Sequence, residues 1–482
     1  MKKIYLLVLL GSALLGSAQI VNIPDTNFKT YLLPFYDVNH DNEIQLTEAQ
    51  NATSIDISSN YNISNISGIE SFTNLAFLFI RNNPVSAPVN LSQNTLLQSV
   101  RVQGTYPSIN ITGLSNLSYI ELIGNYTSLD ISNRTSLTEL YLGAPNLVSL
   151  NLTNLPQLQK LWINDANLTS IDVTQMPLLQ ELVLQQLDLT SINVTQNPNL
   201  KFLSLNGSPL GTVNISQNVL LENLGLDDTN ITSINLQNNP LIKVLNIGHN
   251  NLAAGIDISN LTLLEDLGVF QCSLSTLDLS NNPLIKYLQL GNNNLTDINV
   301  LHLSDLRNFM SYGNKFTNIN LSNNPLLKYI AFNSNPFLTH INIKNGNNSN
   351  IVWLVPNDYG WLPLLQEVCV DDPTSAYAVL VNAALNPAVN VTAQCTALST
   401  EEISISETDI IVYPNPVLDK LLVKTKEKLE FYQIMTSTGN LVEEGRFKNQ
   451  EYKINMVKFP KGVYFVKIGN GKFVIVEKVI KK

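Results

Sequence analysis

What most limits the fold of this chain is one phrase of about 21 residues, repeated about thirteen times from roughly Leu75 to Phe332. One copy reads Leu179-Gln-Glu-Leu182-Val-Leu184, then Leu187-Asp-Leu189-Thr-Ser-Ile192-Asn-Val194; others open at Leu200, Leu221, Ile242, Leu264, Ile285, Leu306 and Leu327. Leu182 and Leu184 alternate with Glu181, Val183 and Gln185, the period of a strand with one buried face. A single unit cannot bury that face, whereas stacked units build one continuous core. At about 4.8 Å per coil the stack is a rod on the order of 60 Å long. A second strand-like phrase follows about ten residues later in each unit, as in Ile171-Asp-Val173, Ile192-Asn-Val194, Ile234-Asn-Leu236, Leu277-Asp-Leu279 and Ile319-Asn-Leu321. It leaves no room for a helix, so the expected fold is mostly β: a solenoid with extended chain on both faces and almost no helix within it.

Each unit fits L-x-x-L-x-L-x-x-N/C-x-L, and over roughly two thirds of its length the chain resembles bacterial leucine-rich repeat proteins. The resemblance implies a solenoid over residues 52–370, of the short, nested type. Asn-x-Ser/Thr triplets recur (Asn167-Leu-Thr, Asn193-Val-Thr, Asn214-Ile-Ser), mostly at fixed repeat positions, so they read as structural and not as glycosylation sites. The formal net charge of -10 argues against nucleic acid as a partner, because phosphate binding needs a basic surface.

Met1-Lys-Lys, an apolar run from Ile4 to Leu15 and the small residues before Gln19 have the form of a secretory signal, residues 1–18, cleaved after Ala18. The apolar run is too short to span a bilayer, no later segment is apolar for long enough, and no cysteine at the cleavage site offers a lipid anchor. Residues 19–51 break the repeat and are expected to cap the first coil. Within them Asp37, Asn39, Asp41, Glu43 and Glu48 fall at positions 1, 3, 5, 7 and 12 of a loop, with Ile44 at position 8. That spacing resembles an EF-hand or dockerin loop and implies a structural Ca2+. Asn42 stands where the turn glycine belongs, and Pro34 interrupts the helix expected before the loop. The competing reading is a polar turn that caps a short helix over residues 47–51.

Binding surfaces of repeat proteins lie along columns of outward residues. Between the two strand leucines the column runs Phe79, Arg101, Glu121, Tyr141, Trp162, Val183, Ser204, Gly225 and on to Ala331; beside it run Phe77, Ser99, Tyr119, Glu139, Lys160, Glu181 and Phe202. The candidate ligand-binding residues are Phe77, Phe79, Arg101, Tyr119, Tyr141 and Trp162. Aromatic and Arg side chains together are the usual anchors of an interface, and stacked rings also suit sugars. The competing reading is that the rings only favour strand. On the second face the outward column is Asp130, Asn151, Asp172, Asn193, Asn214, Asn235, Asp257, Asp278, Asn299 and Asn320, read as an amide ladder bonded up and down the stack in preference to stacked calcium sites.

Cys272 holds the place of Asn250, Asn293, Asn314 and Asn335, and so is expected buried and inert. Cys369 and Cys395, in an exported chain, read as a disulfide tying a C-terminal cap (371–395, with a helix from Thr374 to Leu385) to the strand Val368-Cys-Val370. No His-Glu-x-x-His or Gly-x-Ser-x-Gly occurs, and the histidines are scattered, so no catalytic role is expected. After a Ser/Thr/Glu-rich linker (396–409) the repeat vanishes. Residues 410–482 carry Tyr413-Pro-Asn-Pro416, Gly462-Val-Tyr464 and a basic end, with seven short strands expected in a small β-sandwich. They resemble the type A C-terminal sorting domain of the type IX secretion system of Bacteroidetes, which implies export, then attachment to the surface or release. The expected function is a secreted or cell-surface protein that binds another macromolecule, an extracellular protein or glycan. The alternative is a carbohydrate-binding accessory of a polysaccharide-degrading system.

Overall fold

The computed structural model describes residues 19–353, 362–375, 389–395, 410–425, 428–436, 441–447, 452–469 and 474–482. The expected signal segment and linker, and all but the first two residues of the helix expected from Thr374, lie outside that set. The chain forms two compact units, 1–394 and 395–482.

In the first unit, one strand per coil joins a 15-stranded parallel sheet that begins at Ser54–Ile57 and ends at Val352–Trp353. The coils stack in register: Leu161 sits beside Leu140 on one side and Leu182 on the other. Along Lys160–Asn164 burial alternates as the two-residue period requires, with Leu161 and Ile163 fully buried. The inward leucines and isoleucines of successive coils form one continuous core. Among the described residues only two short 3-10 turns, Ile69–Ser71 and Asn348–Asn350, interrupt the strands and turns of the solenoid.

On the second face the chain is paired into strand in only some coils. Paired strand occurs only towards the ends, as Val89–Asn90 with Ile109–Asn110, Ser128–Asp130 with Ser149–Asn151, and a four-stranded ladder from Asn318–Asn320 to Asn390–Thr392. Elsewhere the extended phrase stays unpaired. Its Asp/Asn column is not an amide ladder: each side chain folds back on its own coil. Asp172 accepts from the Thr174 N–H (2.9 Å), Asn193 from Thr195 (3.1 Å) and Asp278 from Ser280 (2.9 Å). These are Asx turns, in which the side chain imitates a backbone turn and bends the chain out of the strand.

The stacked amides are inside. Asn197, Asn218, Asn239, Asn282 and Asn324 are fully buried, and each donates to carbonyls of the preceding coil. Asn197, for example, reaches Val173 O and Met176 O at 2.9 Å, and Asn324 reaches Val300 O and Leu303 O at 2.8 Å. A second buried column follows the strand: Asn293 Nδ2 donates to Val269 O (2.7 Å) and Leu290 O (2.9 Å), while its Oδ1 accepts the Cys272 and Leu274 N–H groups at 3.0 Å. Cys272 replaces one such Asn, and its thiol lies 3.2 Å from Ile247 O. Burial pushes that thiol up to about 11. In the coils of Tyr106 and Tyr126, buried phenols that stack at 5.9 Å bond the equivalent carbonyls of Val102 and Leu122 instead. Cys369 and Cys395 are disulfide-bonded; Cys272 is free.

Two helices, Thr26–Tyr36 and Leu46–Asn51, cap the first coil. Pro34 does not interrupt the first: it forgoes one donor in the last turn, yet the helix runs on to Tyr36 and Asp37 N–H still reaches Leu33 O. In the second unit, strands Ile410–Tyr413, Lys420–Thr425 and Lys453–Asn455 form one antiparallel sheet, and Leu441–Arg446, Phe431–Thr436, Gly462–Gly469 and Val474–Lys481 another. Val417, Leu421, Ile434, Ile454 and Val466 are among the side chains buried in its core.

Candidate ligand-binding face

The six aromatic and Arg residues singled out by their columns come together on the outward side of the long sheet. The register runs Phe79, Arg101, Glu121, Tyr141, Trp162 across five strands, and Phe77, Ser99, Tyr119, Glu139, Lys160 beside it. The rings touch in sequence: Phe77 and Phe79 at 6.5 Å between centroids, Tyr119 and Tyr141 at 5.5 Å, Tyr141 and Trp162 at 5.5 Å. Arg101 joins the two groups, its guanidinium 5.8 Å from the Phe79 ring and 5.3 Å from the Tyr119 ring. Of the six only Phe77, 42% accessible, is exposed; the other five are half-buried, largely by one another.

Polar contacts that the columns did not reveal lock this surface. Arg101 Nε pairs with Glu121 at 2.6 Å and its Nη2 donates to the Tyr119 hydroxyl, which in turn donates to Glu121 at 2.7 Å. Gln103 donates to the other Glu121 oxygen at 2.8 Å. The Tyr141 hydroxyl donates to Glu139 at 2.8 Å, and Lys160 stands between Glu139 (3.9 Å) and Glu181 (3.5 Å). Burial, then the neighbouring carboxylate, raises the Tyr141 hydroxyl, and burial is also the largest cause at Tyr119, so both stay protonated as donors. Of these planar groups Arg101, Tyr119 and Tyr141 are tied by polar contacts, whereas Trp162 Nε1 is buried without a partner.

A third column, one residue beyond the second inward strand position, also faces outward and was not read from the sequence. There Phe270 and Tyr312 lie across Gly248 and Gly291 of the coil before, leaving no room for a side chain: a Cβ on either glycine would come within 2.5 Å and 2.4 Å of the ring. Asn246 covers Gly268 in the same way, at 2.4 Å from its Cβ position. The signal was present, since small residues alternate with aromatic ones along this column.

In the N-terminal loop the carboxylates are taken up by the loop itself. Asp37 accepts from the Asp41 (3.2 Å) and Asn42 (3.0 Å) N–H groups, with His40 and Asn42 in the left-handed region. Asp41 accepts from the Glu43 N–H and from the Gln45 and Asn39 side-chain amides. Glu48 reaches back to Gln45 N–H at 2.9 Å, capping the second helix, and also accepts from Val38. The Glu43 carboxylate points to Lys29, at 2.7 Å. Among the described residues no three His, Cys, Asp or Glu side chains are grouped as metal ligands.

Residues 411–482 match the family model described as a secretion system C-terminal sorting domain. No curated protein matches the sequence. Among solved structures, the functional domain of InlJ from Listeria monocytogenes, which includes a cysteine ladder, is 18% identical over 96% of this chain and 98% of that one, with a TM-score of 0.58. The internalin InlF from Listeria monocytogenes is 19% identical over 74% of this chain and 98% of its own, with a TM-score of 0.51. At these identities the likeness establishes the fold. No helix among the described residues is long and apolar enough to cross a membrane. The first unit therefore has a leucine-rich repeat fold, and residues 411–482 are a secretion system C-terminal sorting domain, which marks the chain for export to the cell surface or the medium.

Proposed function

We propose that the exported chain binds an extracellular protein, as in adhesion, through the first half of its long sheet. The observation that carries this reading is the run from Phe77 to Trp162, where rings and an Arg are braced by carboxylates on an open sheet face. Braced anchors lose little rotamer freedom on binding, so more of the contact energy appears as affinity. A binding role is favoured over catalysis because three of the four histidines are engaged locally: His249 against the Phe270 ring, His302 with Leu279 O, His340 with Thr339. The stack of Tyr119, Tyr141 and Trp162 beside Glu121 and Glu139 also supports a second reading, a glycan ligand, since sugars dock on rings and bond to carboxylates.

The test is capture of extracellular protein and glycan arrays by the wild-type chain, Trp162→Ala and Met310→Ala. Met310 occupies the same column, beyond the braced patch. Truncating a buried aromatic anchor commonly costs about 2 kcal/mol, roughly a thirty-fold loss of affinity. Trp162→Ala should show that loss and Met310→Ala should not. Equal losses for both would remove the patch from consideration.

A further inference from the structure

On the opposite side of the early coils the chain departs from its own pattern in two ways at one place. The strand Ile109–Asn110 pairs with Val89–Asn90, and Ser128–Asp130 pairs with Ser149–Asn151, but these two ladders do not pair with each other. An open cleft of about 550 Å³ lies across this break, lined from both sides. Into it comes Arg134, which holds the position that buried Asn197, Asn218, Asn239, Asn282 and Asn324 hold in other coils.

Arg134 performs the structural task of those asparagines: its Nη2 donates to Ile111 O of the preceding coil at 3.0 Å, as Asn197 does to Val173 O. Its Nη1 donates to Ser132 O at 3.0 Å. A neutral amide satisfies this position elsewhere, so the positive charge is surplus to the fold. It is also expensive, because Arg134 is only 6% accessible and its Nε has no partner. Among the described residues it has no ion pair. The Asp130 carboxyl is held below its usual range mainly by hydrogen bonds from Ser132, with Arg134 the smallest contributor. Around the guanidinium the rim is exposed and rich in hydroxyls, from Thr112, Ser128 and Ser149, with Asn110 and Asn151 beside them and the Asp130 carboxylate, which accepts from Ser132 N–H, also on the rim. A fixed planar cation at the floor matches a carboxylate, and a hydroxyl-lined rim matches a polyol.

We propose that this cleft is a binding site for a carboxylated sugar, a uronic acid unit, with its carboxylate against Arg134 and its hydroxyls against the Ser/Thr rim. The site lies on a different face from the Phe77–Trp162 patch, so its failure would leave that reading untouched. The test is titration calorimetry of the full chain with D-glucuronic acid, D-glucose and acetate, repeated on Arg134→Asn. Asn restores the residue the other coils use, so the fold should persist while the charge is lost. The expected result is that glucuronate binds better than either acetate or glucose, and that Arg134→Asn weakens it at least about tenfold, the scale of one hydrogen bond to a charged group. No heat with glucuronate on the wild type would overturn the proposal. Equal binding of glucose would overturn the role of the charge, and equal binding of acetate the role of the sugar. Should Arg134→Asn fail to fold, the exposed pair Ser128→Ala and Ser149→Ala replaces it, and an unchanged glucuronate affinity there would also count against the site.

Discussion

The two halves of the long sheet are built from the same repeat yet held differently. From Tyr119–Ile123 to Glu181–Gln185 the strands are five residues long; from Phe202–Ser204 to Tyr329–Ala331 they are three. Two of the longer strands belong to coils with Ala166 or Leu187 three residues past the last inward strand position, side chains that offer the backbone no hydrogen bond. Five of the seven shorter ones precede Thr229, Asn250, Asn293, Asn314 or Asn335, each of which bonds a carbonyl three residues back; the other two precede Ser208 and Cys272. Outward side chains follow suit. The first half carries rings and paired charges that reach across strands, while the second offers Gly225, Gly268 and Ala331. The first half adds braced rings on its surface, and the second adds a column of strand-side amides in its interior.

The largest effect should therefore come from an interior amide of the second half. Asn293→Ala removes two donated and two accepted bonds at a buried site. With each unpaired buried group worth about 1–3 kcal/mol, the loss should reach about 3 kcal/mol in urea unfolding. Trp162→Ala, on the surface of the first half, should lower stability by only about 1 kcal/mol. A comparable loss from both would break the distinction. Because coils contact only their neighbours, hydrogen exchange should place the Asn293→Ala opening in the second half alone.

Charge offers a gentler test. In the first half Glu121 and Glu139 are partnered, whereas Asp266 in the second has a buried Oδ1 without a partner, and burial raises its carboxyl above the ordinary range. A raised folded-state pKa means that ionisation opposes folding above that pKa and that the penalty disappears below the unfolded value of about 3.9. Asp266→Asn should accordingly raise Tm by about 1–2 °C at pH 7 and leave it unchanged at pH 3.5. A gain that persists at pH 3.5 would mean that the effect is not electrostatic.

Much of this was legible beforehand. The two-residue period of Leu182 and Leu184 gave the sheet, and the columns brought Phe79, Arg101, Tyr141 and Trp162 to one face in the right order. The triangle of Arg101, Tyr119 and Glu121 was not legible, because it runs diagonally between columns and depends on rotamers. The second-face amides misled for a different reason. An Asn followed by x-Ser/Thr has the same letters whether it bonds up the stack or to its own Thr N–H, and only the local backbone decides. Asn197 and its equivalents, followed by Pro or another turn residue, looked like turn residues, while their burial made them the actual ladder.

Calcium is the weakest lever. We propose that it can still occupy the loop of Asp37, Asn39, Asp41, Glu43 and Glu48, but it would have to displace the Asn39 and Gln45 amides from Asp41. Affinity should then sit in the range of about 10⁻⁴–10⁻³ M seen for extracellular modules. Millimolar calcium should raise the melting temperature of the cap slightly, and Asp37→Asn should abolish the rise. A melting curve indifferent to both calcium and chelator would leave the loop as a polar turn.

The direction of the interior ladder has a further consequence. Each buried Asn serves the coil before it, 21 and 24 residues back, so a donor and its acceptors are always separated by one repeat. Duplicating or deleting a whole unit therefore joins a donor to an equivalent set of acceptors and leaves no polar group stranded at the seam. Each such event changes the reach of the molecule by about 4.8 Å. Recombination between repeats can thus set the span of the solenoid like notches on a ruler, lengthening or shortening it while the core chemistry stays as it was.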